Sequence, residues 1–96
     1  MVRYEIEPEQ VEENERLVHA VYAELAENQP SWLRYATFAL DDGVTFVHLA
    51  MIDTHRGELR DVAAFRAFRE GLADRVVAPL ANTPLRQVGS YRIFDE

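Results

Sequence analysis

The apolar positions of this chain change their period along its length. Residues 1–7, MVRYEIE, alternate apolar and charged side chains as a half-buried strand does, and Pro8 ends the pattern. From residue 9 to 28 the repeat lengthens to that of a helix. At about 100° per residue, Val11, Val18, Val21, Tyr22 and Leu25 fall on one stripe, and Asn28-Gln29-Pro30 closes the segment. Two β-rich runs follow, 31–40 and 44–53, joined by Asp41-Asp42-Gly43, one of the better short-range hairpin signals. After a polar loop at 54–60, Asp61 is placed to cap a second helix reaching about residue 77, with Val62, Phe65, Phe68, Leu72 and Val76 as its stripe. Residues 79–84 read as irregular and 85–94 as a closing strand.

The order β-α-β-β-α-β predicts an α+β, ferredoxin-like domain spanning 1–96, with two helices on one face of a four-stranded antiparallel sheet. A sheet with one wet face should alternate, yet YATFAL and VTFVHLAMI are apolar at nearly every position. Both faces are therefore expected to be covered. Two helices cover one, and the other is expected to meet the sheet of an identical subunit, giving a homodimer.

A hairpin loop of two or four residues sets one register. It places Leu40 opposite Thr45, Phe38 opposite Val47, Ala36 opposite Leu49 and Arg34 opposite Met51 on one face. The other face then pairs Ala39 with Phe46, Thr37 with His48, Tyr35 with Ala50 and Leu33 with Ile52. A loop of three or five residues would break this register by one. His48, in the middle of the most apolar run, thereby gains Thr37 and Tyr35 as neighbours. An imidazole in such a place either is satisfied as a core group or forms the polar floor of a ligand cavity.

Polar residues also interrupt both helical stripes. Asn14 stands near the middle of the first, where its amide must satisfy both a carbonyl and an NH2 group. Arg69 lies between Val62 and Val76 on the second, either snorkelling to solvent or facing a cavity where it holds an anionic group. Trp32, at the open end of the hairpin, and Phe46 join Thr37 and Arg69 as candidate substrate-binding residues. His48, Tyr35 and Asn14 are the candidate catalytic ones.

Composition narrows the chemistry. A net charge of -7, with ten arginines and no lysine, argues against nucleic acid or an anionic membrane surface as partner. The absence of cysteine removes thiol nucleophiles, thiolate metal sites and disulfides. There is no apolar run of roughly 18 residues and no signal-peptide pattern at the start, so a cytoplasmic location is expected. Neither a phosphate loop, nor His-Glu-x-x-His, nor Gly-x-Ser-x-Gly occurs. His55 in DTHRGE reads as a loop residue, and no metal or cofactor is expected.

Three stretches carry a resemblance. PSWLRYATF is similar to a Pro-Gly-x-x-x-Tyr entry into a second strand, DDGVTFVHLAMI to a third strand, and AFRAFREGLADRVVAPL to a second helix, of the antibiotic-biosynthesis-monooxygenase-like proteins. On these motifs the chain resembles the dimeric α+β-barrel superfamily over nearly its whole length. It has Met51-Ile52-Asp53 where that family often has Glu-x-Trp, and Val62-Ala63-Ala64 where a histidine often opens the second helix. The resemblance implies a homodimer whose two sheets form a barrel, with a pocket in each subunit between sheet and helices. It further implies cofactor-independent monooxygenation of a small aromatic or quinol-like substrate. In that chemistry His48 or Tyr35 would act as base or donor, Asn14 as orienting amide and Arg69 as anion stabiliser. A non-catalytic dimeric ligand-binding or structural protein is the alternative, and it predicts a filled interior.

Overall fold

The computed structural model describes residues 1–93. Strand β1 (Val2–Glu5) leads through a 3-10 turn at Pro8–Gln10 into α1 (Val11–Asn28). Pro8 opens that turn where its missing N–H costs nothing. At the far end of α1, Gln29 takes a left-handed conformation (φ 46°) and donates its N–H to the Leu25 carbonyl at 2.7 Å, satisfying one of the helix's last acceptors. Hairpin strands β2 (Leu33–Ala39) and β3 (Thr45–Ile52) follow. After them come a 3-10 turn at Leu59–Asp61, α2 (Ala63–Glu70), α3 (Leu72–Arg75) and β4 (Ala81–Asn82). The protein is α+β, and its four strands form one antiparallel sheet in the order β2-β3-β1-β4.

The hairpin has the expected register, from Leu33 opposite Ile52 to Ala39 opposite Phe46, with Thr37 across from His48. Its loop fixes that outcome. Leu40 donates its N–H to the Thr45 carbonyl at 2.9 Å, leaving four residues in the loop. Within it Asp42 accepts from the backbone N–H groups of Val44 and Thr45 and from the Thr45 hydroxyl, while Gly43 supplies the positive φ of 76° that the turn requires. β1 then pairs with β3, so that Val2, Tyr4 and Ile6 share a face with Phe46 and His48. The core forms where that face meets Val18 and Val21 of α1 and Phe68 and Leu72 of the second helical segment.

The second helical segment departs from expectation in two ways. It breaks at Gly71 into α2 and α3 and ends at Arg75, short of residue 77. Asp61 does not cap it: the Asp61 carboxylate accepts from the Glu58 N–H at 2.9 Å and closes the preceding 3-10 turn. The first N–H groups of α2 are instead capped from across the molecule. Glu24 of α1 accepts from Ala63 N–H at 3.0 Å and Ala64 N–H at 2.9 Å.

The closing strand is also displaced. The expected strand at 85–94 is not found over 85–93, and Phe94 lies outside the described residues. β4 instead falls at Ala81–Asn82, inside the segment expected to be irregular. Val76 and Val77 run beside Glu5 and Ile6, Ala81 and Asn82 pair with Arg3 and Val2, and Thr83 donates to the Met1 carbonyl at 2.7 Å. The ladder has then reached Met1, and Pro84, without an N–H, does not extend it.

Replacing Glu24 with Ala is expected to lower unfolding stability by about 1 kcal/mol through loss of this cap, with Gln, which keeps one acceptor, losing less. Urea unfolding of the two variants checks the order, and equal stability of both with the parent would refute the cap's contribution.

Candidate functional site

The Tyr4, Tyr35 and His48 side chains, from three adjacent strands, meet under the helices because the register puts all three on the covered face. His48 is buried, and both its ring nitrogens are engaged. Tyr4 Oη lies 2.6 Å from Nε2, and Tyr35 Oη lies 2.6 Å from Nδ1, with Thr37 Oγ1 also 3.3 Å from Nδ1. Thr37 in turn bonds the Tyr22 hydroxyl of α1 at 2.7 Å. From the other side, Asn14, wholly inaccessible to solvent, donates Nδ2–H to Tyr4 Oη at 3.1 Å.

The next partner is a residue that sequence reasoning missed. Arg75 is buried at 5% exposure, donating Nε–H to Asn14 Oδ1 at 3.2 Å and an Nη2–H to the Phe68 carbonyl at 2.8 Å, with its guanidinium 5.3 Å above the Phe68 ring. Its spacing held the signal. Arg75 stands seven residues after Phe68 and three after Leu72, which returns it to the same helical face. Among the described residues no ion pair forms with it, although Glu13 acts on it from farther off.

This network borders a cavity of about 380 Å³ between the sheet and α2. His48 and Tyr35 line it together with Phe65, Phe68 and Ile52, and Arg69 stands at its exposed rim. Arg69 also borders a more open hollow of about 500 Å³ beside α3 and Leu80. The remaining candidates lie apart from the cavity. Asn14 and Thr37 sit behind its lining, bonded to the residues that form it. Phe46 is core, stacked on Tyr4 at 5.7 Å between ring centres. Trp32 is packed against Gly57 so closely that a side chain at 57 would strike its indole ring, and it does not border the cavity. His55 is exposed in its loop, and among the described residues no three metal-ligating side chains gather.

Burial governs protonation throughout. It depresses the His48 pKa to about 4, so the imidazole is neutral at physiological pH. It raises Tyr4 to about 12 against a smaller opposing effect of the Asn14 hydrogen bond. Tyr35 is raised further, again chiefly by burial, and Arg69 is near enough to pull it partly back. The site is thus a set of neutral donors beside one rim cation. The described residues include no helix long and apolar enough to cross a membrane. No family model matches this chain, and neither the curated proteins nor the solved structures include a match to it.

His48 links pH to stability with a definite sign. Its folded pKa of about 4 lies below the ordinary 6.5, so the unfolded chain binds more protons between those values. The resulting stability is fully present above about pH 6.5 and is lost as pH falls toward 4, up to about 3 kcal/mol. Urea midpoints measured at pH 7, 6 and 5 are expected to fall steeply for the parent and less for His48→Gln, and parallel curves would refute the assignment.

Proposed function

We propose that the protein is a homodimeric, ferredoxin-like α+β-barrel protein that takes a small aromatic molecule into the cavity bounded by His48 and Tyr35 and oxidises it with O2 without a cofactor. The observation that carries the ligand site is the cavity itself: an apolar hollow with aromatic walls and a few convergent polar groups has the form of a small-molecule site. The strand order β2-β3-β1-β4 supports the ferredoxin-like reading, and the sequence motifs quoted above support the monooxygenase family. In the reaction proposed, solvent takes one proton from a ring-activated CH2 group, so that the substrate enters as an enolate whose charge is shared between the phenolic oxygen and that carbon. Two C–H bonds there break and one C=O forms, O2 supplying the new oxygen and its second atom leaving as water. The substrate furnishes all the electrons.

The protein's part is to position the oxyanion and exclude water. Tyr35 and Arg69 are the groups placed to touch it. His48 is a supporting residue rather than a base, since both its nitrogens are already bonded and its affinity for a proton is low. Asn14 orients Tyr4 from behind. Oxygen uptake is expected with a panel of polycyclic dihydroxyaromatics bearing a benzylic methylene, and Tyr35→Phe is expected to slow it about a hundredfold, in line with one lost oxyanion donor. Ligand binding without oxygen uptake across the panel would leave a binding protein and overturn the oxidation.

The dimer is supported by the sheet's other face. There Phe38 is 42% and Met51 56% exposed, beside the half-buried Ala36, Val47 and Leu49. Contiguous apolar surface of this kind marks an interface. Light scattering is expected to give twice the 11.1 kDa chain mass, and Met51→Lys, which lies outside the cavity, to shift the population to monomer. A parent protein that is monomeric at micromolar concentration would refute the dimer.

A further inference from the structure

The hydrogen bonds behind the cavity run in one direction, and Arg75 sets it. A guanidinium only donates, so the Asn14 atom that it meets must be the carbonyl oxygen. The opposite amide orientation would press two donors together. Asn14 Nδ2 therefore donates to Tyr4 Oη. Tyr4 is 3% exposed and has one proton of its own, and the one acceptor it meets among the described residues is His48 Nε2. Were Nε2 to carry a hydrogen, the phenol proton would be buried without a partner, at a cost of about 1–3 kcal/mol. Nε2 is thus the acceptor and the ring proton resides on Nδ1, which donates to Tyr35 Oη. The Tyr35 hydroxyl has accepted from behind, and its own hydrogen is directed away from His48, to Thr37 or to a ligand.

We propose that the cavity selects small aromatic anions, a carboxylate or an ionised phenol, whose oxygen accepts from Tyr35 and faces Arg69, and that Arg75 is the positioning residue that imposes this preference without touching the ligand. Charge agrees with hydrogen-bond direction. Among the described residues, Arg69 carries the one charged side chain of the lining and no carboxylate borders the cavity. An amine or another cation would meet donors and a like charge. A neutral amide of the same shape would gain the hydrogen bond and lose the charge interaction. The preference rests on the cavity being the ligand site proposed above, but the proton placement on His48 stands independently of any ligand.

Two measurements test it. Calorimetric titration at pH 7.5 and low salt uses 1-naphthoate and 4-nitrophenolate as the two anion types, with 1-naphthamide and 1-naphthylmethylamine as neutral and cationic counterparts. Naphthoate is expected to bind at least tenfold tighter than the amide and tighter still than the amine. Arg69→Gln is expected to reduce the anion preference at least fivefold, and Tyr35→Phe to weaken both anion and amide. Nitrophenolate binding without naphthoate binding narrows the class to phenolates and supports the proposal. Amide or amine binding equal to or tighter than naphthoate overturns the proposal while leaving the cavity a ligand site, whereas no binding by any of the four overturns both. Separately, 15N spectra of the parent protein are expected to show His48 protonated on Nδ1 and bare on Nε2, and Arg75→Gln, whose amide can present either polarity, to mix the two tautomers. If Arg75→Gln fails to fold, Asn14→Asp, which accepts the Tyr4 proton and offers Tyr4 no donor, is expected to move the His48 proton to Nε2 in the same spectra. A parent His48 protonated on Nε2 would overturn the role of Arg75.

Discussion

The buried guanidinium of Arg75 is the constraint around which the interior is arranged. Taking such a charge from water is costly, and no carboxylate among the described residues forms an ion pair with it. Neutral groups must therefore solvate it: the Asn14 carbonyl, the Phe68 carbonyl and the face of the Phe68 ring. Burial lowers the affinity of Arg75 for its proton, but an arginine keeps its charge even so. Asn14, Tyr4 and His48 then each take their orientation from a partner already oriented. The described residues hold no buried side-chain nitrogen or oxygen without a hydrogen bond.

A chain of neutral groups anchored by a charge behaves differently from an ion pair. An ion pair would close on itself and leave little direction for its surroundings. Here the polarity passes outward through Asn14, Tyr4 and His48 to Tyr35, across α1 and three strands, and it ends at the wall of the cavity between the sheet and α2. Low local dielectric strengthens each bond, and each donor polarises the next. The aromatic rings contribute too, since Tyr4, His48 and Phe68 pack with centres 5.3 to 6.1 Å apart and hold the imidazole plane in place.

Much of this was legible in the sequence, for identifiable reasons. The Asp-Asp-Gly signal places the hairpin, and a loop of even length, four residues in the structure, gives the register that joins Thr37, Tyr35 and His48. Asn14 announced itself as the one amide on an apolar stripe, and it is among the most deeply buried side chains. What escaped depends on long-range partners. Asp61 has the right residue type for a helix cap, but Glu24, some forty residues earlier, reaches the helix end first. Residues 85–94 have strand-like composition, yet the place beside β1 that a closing strand takes in this order is already occupied by residues 76–83. Trp32 is sized for a pocket wall, but only the folded hairpin shows it seated on Gly57.

Arg75 is a different case, because an arginine near a helix end ordinarily keeps its charge in water. The break at Gly71 explains why it does not. A Cβ at position 71 would come within 2.9 Å of the Arg75 Nη1, so glycine leaves room for the guanidinium to fold back over the turn. The helix ends with that same residue: Arg75 accepts at its carbonyl from Glu7 N–H at 2.8 Å, and two residues on Val77 donates to Glu5. One side chain thus bonds α1 and α2 while its own backbone bonds the segment after β1. Helix end, sheet edge and amide orientation are consequently fixed together, and a change that freed Arg75 would loosen the cavity wall along with the fold that carries it.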